Sequence, residues 1–230
     1  MPARRKGVPT PRTFTLVSLA LLAAACSRPK QQTAGAPGAT AAPGAPGAPG
    51  AEGAQPGEND SLPVVVLETT MGRIAIQLDR TKAPRSVENF LGHVNAHFYD
   101  GLVFHRVIKG FMIQAGVLTA SGMEKHSNAP PVPNEADNGL KNVRGAVALA
   151  RTADPQSGGV QFFVNVVNNP RLDFTAKTDA GWGYAVFGHV VEGMDVADRI
   201  AAVPVTSSGA YEALPVTPVV ITRAYVETTK

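Results

Sequence analysis

The chain has 230 residues, with 21 Lys and Arg against 18 Asp and Glu, a formal net charge of +3. An isoelectric point near 9.1 invites a nucleic-acid reading, but the distribution of charge excludes it. Six of the basic residues lie before position 31, where no acidic residue does, and from Ser61 onward there are 15 of each sign. Cys26 is the sole cysteine, which excludes a disulfide framework and thiol chemistry from the rest of the chain.

Met1–Arg12 is basic, Phe14–Ala25 (FTLVSLALLAAA) is an apolar run of twelve, and Cys26 follows at once. A charged start, a short apolar centre and small residues at its end predict an export signal over residues 1–25. The run is shorter than the ~20 apolar residues that a membrane-spanning helix needs. Residues 26–61 are rich in Ala, Pro and Gly, with APGAPGAPG at Ala42–Gly50. Little of that surface offsets the entropy of ordering, so the segment reads as a disordered or partly polyproline-II spacer. As a flexible coil of about 35 residues it would span roughly 30–35 Å, and as polyproline II close to ~100 Å.

The folded part is expected over residues 62–230. Val64–Glu68 and Arg73–Leu78 read as a hairpin turning at Met71-Gly72. Pro84 opens a helix over Pro84–Ala96, where its missing N–H costs nothing, and Val87, Phe90, Leu91 and Val94 form its apolar face. His93 and His97 stand four apart on that helix but lack a third ligand nearby, so they read as surface or capping residues rather than a metal pair. Phe104–Gly116 (FHRVIKGFMIQAG) sets Arg106 among apolar residues, with Gln114 beyond Met112. Guanidinium stays charged, so an arginine in such a run needs a partner, a solvent path or a function. A long polar connection, Leu118–Asn142, leads to strand-like Val147–Ala150, Gln161–Val166 and Tyr184–Phe187. Met194–Ala201 reads as a short helix with Val196, Ala197 and Ile200 inward, and Val219–Val226 as a last strand. Many short strands between Gly and Pro turns predict an all-β-dominated closed antiparallel barrel.

Four motifs in order carry a family resemblance. FHRVIKGFMIQAG and ALARTADPQSGGVQFFVNV (Ala148–Val166), then LDF (Leu172–Phe174) and GYAVFGHVVEGMDVADRI (Gly183–Ile200), resemble the cyclophilin-type peptidyl-prolyl cis-trans isomerases. With PNEADNGLKNVRG (Pro133–Gly145) the likeness is closest to the bacterial periplasmic members, and it covers roughly Leu62 to Glu227. The resemblance implies an eight-stranded barrel capped by two helices. It implies that Arg106 is the catalytic arginine, and that Phe111, Met112, Phe163 and Leu172 grip the proline. Gln114, Ala150 and Gln161 would hold the substrate backbone or line its groove, and Tyr184 would line the pocket where eukaryotic members carry a histidine. His105 is expected to be structural. The sequence departs from the family at Ala115-Gly116-Val117, at Val160 before Gln-Phe-Phe, and at Arg171, which stands where cyclosporin-sensitive members have tryptophan. Weak cyclosporin binding is therefore expected.

The reaction so implied is rotation about a Xaa-Pro bond. Its barrier is roughly 20 kcal/mol, and no bond breaks, so neither nucleophile, metal nor other cofactor is expected. A dry apolar pocket and a donor aimed at the prolyl nitrogen suffice in principle. No Gly-x-Ser-x-Gly elbow, paired carboxylates or phosphate loop points to group transfer. The alternative is a chaperone or scaffold module that binds proline segments with little turnover.

Leu22-Ala23-Ala24-Ala25-Cys26 resembles a bacterial lipoprotein cleavage box, with Ala23 where leucine is usual. Lipidated Cys26 would then be the only link to a membrane, and Ser27 after it favours the outer membrane. An ordinary secretory signal and a soluble periplasmic protein are the alternative. Expected partners are proline-containing unfolded or partly folded envelope proteins, with no nucleic acid, and the protein is expected to be a monomer.

Overall fold

In the computed structural model, residues 62–228 are described, all within one compact unit, Glu52–Lys230. The expected export signal and spacer, with Cys26, lie outside them. The elements run β1 (Val64–Thr69), β2 (Gly72–Leu78), α1 (Pro84–Asn95), β3 (Leu102–Ile108), β4 (Met112–Thr119), β5 (Ala146–Leu149) and β6 (Phe162–Asn165). There follow β7 (Val186–Glu192), α2 (Met194–Ala201), β8 (Val205–Ser208), β9 (Tyr211–Pro215) and β10 (Ile221–Val226). None of the described helices is long and apolar enough to cross a membrane.

Eight strands form one antiparallel sheet in the order β10-β1-β2-β7-β5-β6-β4-β3. Its two ends meet: Val103 bridges Val220, the Gly101 amide donates to the Ile221 carbonyl at 2.8 Å, and the Phe104 amide donates to Val219 at 3.0 Å. The expected barrel with two helices is therefore present.

Alternation along the strands divides the apolar residues between two clusters. Ile74, Ile76, Phe104, Ile113, Val147, Phe162, Val164 and Phe187 belong to the main core. Phe90 of α1 meets the rings of Phe187, Tyr99 and Phe162 at centroid distances of 5.1, 5.2 and 5.2 Å. On α2, Val196, Ala197 and Ile200 are buried, as their helical spacing predicts. A smaller cluster, centred on Met112, Ala146, Ala148, Phe163 and Val186, uses the alternate strand positions. The site lies there.

Three readings change. The strand expected at Tyr184–Phe187 begins at Val186, leaving Tyr184 ahead of it. Gly183, at φ +65°, holds Tyr184 out of the strand, and the Tyr184 amide donates to the Leu172 carbonyl at 2.9 Å. The β8–β9 hairpin was not expected, and all of β8 is exposed. His93 is not a surface residue. It is 7 % exposed, its Nδ1 donates to the Asn89 carbonyl (2.7 Å), and its Nε2 meets Ser127 Oγ (2.8 Å). Thus the 118–142 connection folds over α1 and covers it. Glu135 of the same connection accepts bonds from the Ser86 hydroxyl (2.7 Å) and the Arg85 and Ser86 amides, satisfying the free N–H groups that open α1. His97 is exposed and pairs with Asp100.

Candidate active site

A single rung across the sheet sets the main positions. Arg106 pairs with Gln114 across β3–β4, and Gln114 pairs with Phe163 across β4–β6. Register shifts on β3, between Phe104 and Arg106, let Phe104 and Val107 both enter the main core while Arg106 faces the smaller cluster. Bulges of this kind re-aim side chains beside functional sites. The turn after β3, closed by the Phe111 amide on the Ile108 carbonyl (3.1 Å), then places Phe111 at the same end.

These side chains enclose a cavity of about 100 Å³. Phe111, Met112, Phe163, Leu172 and Tyr184 supply its apolar wall, and Arg106, Gln114 and Ala150 its rim. Phe163 and Tyr184 meet edge to face with centroids 5.5 Å apart. Gln161 is the one expected site residue that does not line this cavity. It accepts the Gln114 side-chain amide at 2.9 Å and lines a larger neighbouring cavity of about 390 Å³. Gly116 permits that approach: at φ +118°, a Cβ there would lie 2.6 Å from the Val160 carbonyl oxygen and 2.8 Å from Gln161 Cα.

Arg106 is half-buried at the rim, and its side chain makes no hydrogen bond or ion pair with the described residues. Its donors are therefore available to a bound group. His105, adjacent in sequence, is 3 % exposed and packs edge to face on Tyr211 at 5.6 Å. Burial pushes its imidazole down to about 4, against the opposing influence of the nearby Gln161 side chain. At neutral pH, Arg106 thus has no second cation at its shoulder.

Two arginines and three asparagines complete the surroundings without having been singled out as site residues. The Arg151 guanidinium covers the Tyr184 ring (4.7 Å) and donates to the Gly183 carbonyl (2.8 Å). Arg171, noted in the sequence only as a departure from tryptophan, covers the Phe111 ring at 5.0 Å. Behind the cavity, buried Asn142, Asn165 and Asn169 bond one another and the carbonyls of Phe111, Ala146 and Leu172. Asparagines at the end of the apolar run Phe162–Val167 were the available signal, since buried amides persist where all their bonds are made.

Comparison with known proteins decides the family. The family model described as cyclophilin type peptidyl-prolyl cis-trans isomerase matches residues 64–226. The chain belongs to the cyclophilins. A peptidyl-prolyl cis-trans isomerase of Streptomyces antibioticus is 51 % identical over 163 residues, 71 % of this chain and 98 % of that protein. Peptidyl-prolyl cis-trans isomerase A of Dickeya dadantii is 49 % identical over 160 residues, covering 70 % and 82 %. Isomerase B of Escherichia coli is 46 % identical over 158 residues, covering 69 % and 96 %. A crystal structure of a cyclophilin-type isomerase of Cryptosporidium parvum matches with a TM-score of 0.60 at 23 % identity, over 74 % of this chain and 99 % of that one, and so shares the fold. The chain is thus a cyclophilin with isomerase homologues across nearly all of its described residues.

Proposed function

We propose that this cyclophilin accelerates Xaa-Pro rotation by seating the proline ring in the cavity of Phe111, Met112, Phe163, Leu172 and Tyr184 while Arg106 donates to the prolyl nitrogen. The observation that carries the reading is the unpaired Arg106 guanidinium at the rim of that apolar cavity. As the bond twists, conjugation is lost and the nitrogen lone pair becomes a better acceptor, so a fixed donor gains most at the transition state. Apolar walls grip the ring; burying a side chain of that size contributes roughly 1.5–3 kcal/mol. Gln114 and Gln161, bonded to each other, present their remaining amide groups to the substrate backbone, and Ala150 leaves room beside them. The chemistry requires no cofactor.

The test is cis-to-trans isomerisation of a short Xaa-Pro peptide by the purified chain and by Arg106→Ala. A parent enhancement that falls about tenfold or more in the variant, with an unchanged circular dichroism spectrum, supports the assignment. A folded Arg106→Ala with parental kcat/KM sinks it.

The setting proposed is the cell envelope. The basic leader, the apolar run and Cys26 support a lipoprotein held at the outer membrane, with residues 27–61 as a spacer and a monomeric domain acting on proline-containing envelope proteins. Incorporation of a labelled fatty acid that disappears in Cys26→Ser, with release into the soluble fraction, tests the anchor. A parent that takes up no label is a soluble periplasmic protein instead.

A further inference from the structure

We propose that Arg151 is a positioning residue that sets the width of the proline cavity by clamping the ring of Tyr184, one of its walls. The inference rests on the isomerase reading above and adds to it the residue that fits the cavity to a five-membered ring.

The need for a clamp follows from the sheet. Strands β5 and β7 pair as far as Ala148 and Val186, and the Leu149 amide still donates to the Ala185 carbonyl at 3.0 Å. Beyond that the ladder ends. Gly183, at φ +65°, turns the chain, and a Cβ on it would lie 2.6 Å from the Leu172 carbonyl oxygen. Tyr184 therefore stands ahead of β7, with its amide on the Leu172 carbonyl at 2.9 Å and its carbonyl 3.4 Å from the Asn142 side-chain amide. These bonds fix its backbone and leave its ring to packing.

Two side chains supply that packing. Phe163 meets the Tyr184 ring edge to face at 5.5 Å, and the Arg151 guanidinium lies over the ring at 4.7 Å. The guanidinium is itself fixed. Its Nε donates to the Gly183 carbonyl at 2.8 Å, and a terminal nitrogen donates to the Thr152 carbonyl at 3.0 Å. The Thr152 amide in turn donates to Ser157 Oγ at 2.8 Å, and the Ser157 hydroxyl to the Asp154 carbonyl at 2.7 Å. Arg151 thus joins two segments, 150–157 and 183–184, that the ladder leaves apart. A planar guanidinium can stack on an aromatic face and still donate in its own plane, which a lysine ammonium cannot copy. Arg151, Phe163 and Tyr184 all line the cavity of about 100 Å³.

A ring held only by Phe163 would have to be ordered each time substrate binds. Immobilising one such side chain in advance changes affinity by about two- to tenfold. The chemical step is untouched, because its donor, Arg106, is carried by β3. A wall free to move would also admit a larger ring. One added methylene in a fitted apolar pocket costs about tenfold or more in kcat/KM, and a loosened pocket forfeits part of that discrimination.

The test compares the purified full chain with Arg151→Met and Arg151→Lys on two peptides that differ only at the ring, one with proline and one with its six-membered homologue, pipecolic acid. Arg151→Met should raise KM for the proline peptide about three- to tenfold, with kcat within about twofold of the parent. Its preference for proline over pipecolic acid should fall about threefold or more. Lysine keeps a charge over the ring but lacks the fork that reaches both carbonyls, so Arg151→Lys should lie between. In a Tyr184→Leu background, with no ring to clamp, Arg151→Met should change KM by less than about twofold. Should Arg151→Met fail to fold, Arg151→Lys carries the same comparisons. Parental KM or parental ring preference in the folded variant, a loss confined to kcat, or an undiminished effect in the Tyr184→Leu background overturns the proposal while the isomerase reading stands. A parent that does not accelerate the proline peptide overturns the isomerase reading and this proposal with it.

Discussion

Asn169 donates its side-chain amide to the carbonyl of Phe111 at 3.0 Å and to Asn165 Oδ1 at 2.7 Å, and so ties one wall of the proline cavity to the sheet behind it. Asn169→Ala would leave Asn165 Oδ1 unpaired and the Phe111 carbonyl with the Val166 amide alone, at a site where Asn169 is 6 % exposed. A loss of about 1–3 kcal/mol in unfolding free energy is expected in urea titrations. KM for a Xaa-Pro peptide should rise more than kcat falls, because the wall loosens while Arg106 stays in place. Unchanged stability and kinetics would show that the asparagine bonds do not hold Phe111.

Gly116→Ala should be costly for a different reason. Its Cβ would meet backbone, the Val160 carbonyl oxygen at 2.6 Å, at a φ of +118° that side chains rarely adopt. Strain of this kind costs about 1–3 kcal/mol, read as a lower Tm. The displaced segment carries Gln161, so the Gln114–Gln161 bond should open and kcat/KM should drop as well. A variant with parental Tm refutes the close-approach argument.

His105 makes stability depend on pH. Its folded-state value lies near 4 against an ordinary 6.5. Between those values the unfolded chain binds a proton that the folded one refuses. Stability is complete above about pH 6.5 and is lost as the pH falls towards 4, by up to about 3 kcal/mol. Other groups titrate in the same window, so the check is the difference between the parent and His105→Gln, each unfolded in urea at pH 7 and at pH 4.5. The variant should lose less stability on acidification than the parent does, and an equal loss would exclude His105 as the source.

Arg171 over the Phe111 ring fills the place beside the proline cavity where the sequence led us to expect weak cyclosporin binding. Inhibition of the parent should require more than sub-micromolar drug, and Arg171→Trp should tighten it about tenfold or more by exchanging a charged plane for an apolar one. Sub-micromolar inhibition of the parent contradicts the expectation.

The site was legible where its residues follow strand spacing. Met112 and Gln114 stand two apart, as do Gln161 and Phe163; pairing sets Gln114 against Phe163, and the Gln114 side chain reaches Gln161. The helices were equally plain, because Val87, Phe90, Leu91 and Val94 repeat at helical spacing. What escaped depends on contacts between distant parts of the chain. His93 looks solvent-facing until Ser127, 34 residues later, covers it. The β8 strand, Val205–Ser208, buries neither face and so carries no alternation to read. Arg151 looks like an ordinary surface cation until Gly183 and Tyr184 return beneath it.

The seam at Val103 and Val220 carries a further consequence. An open sheet would end in two rows of unpaired amides and carbonyls, a template for any extended chain that drifted past. Here the first and last strands are stitched together through Gly101, Phe104, Val219 and Ile221. Along that line the sheet offers no free edge to a passing strand, and the contact left for a proline-containing peptide is a side-chain pocket that a proline can leave.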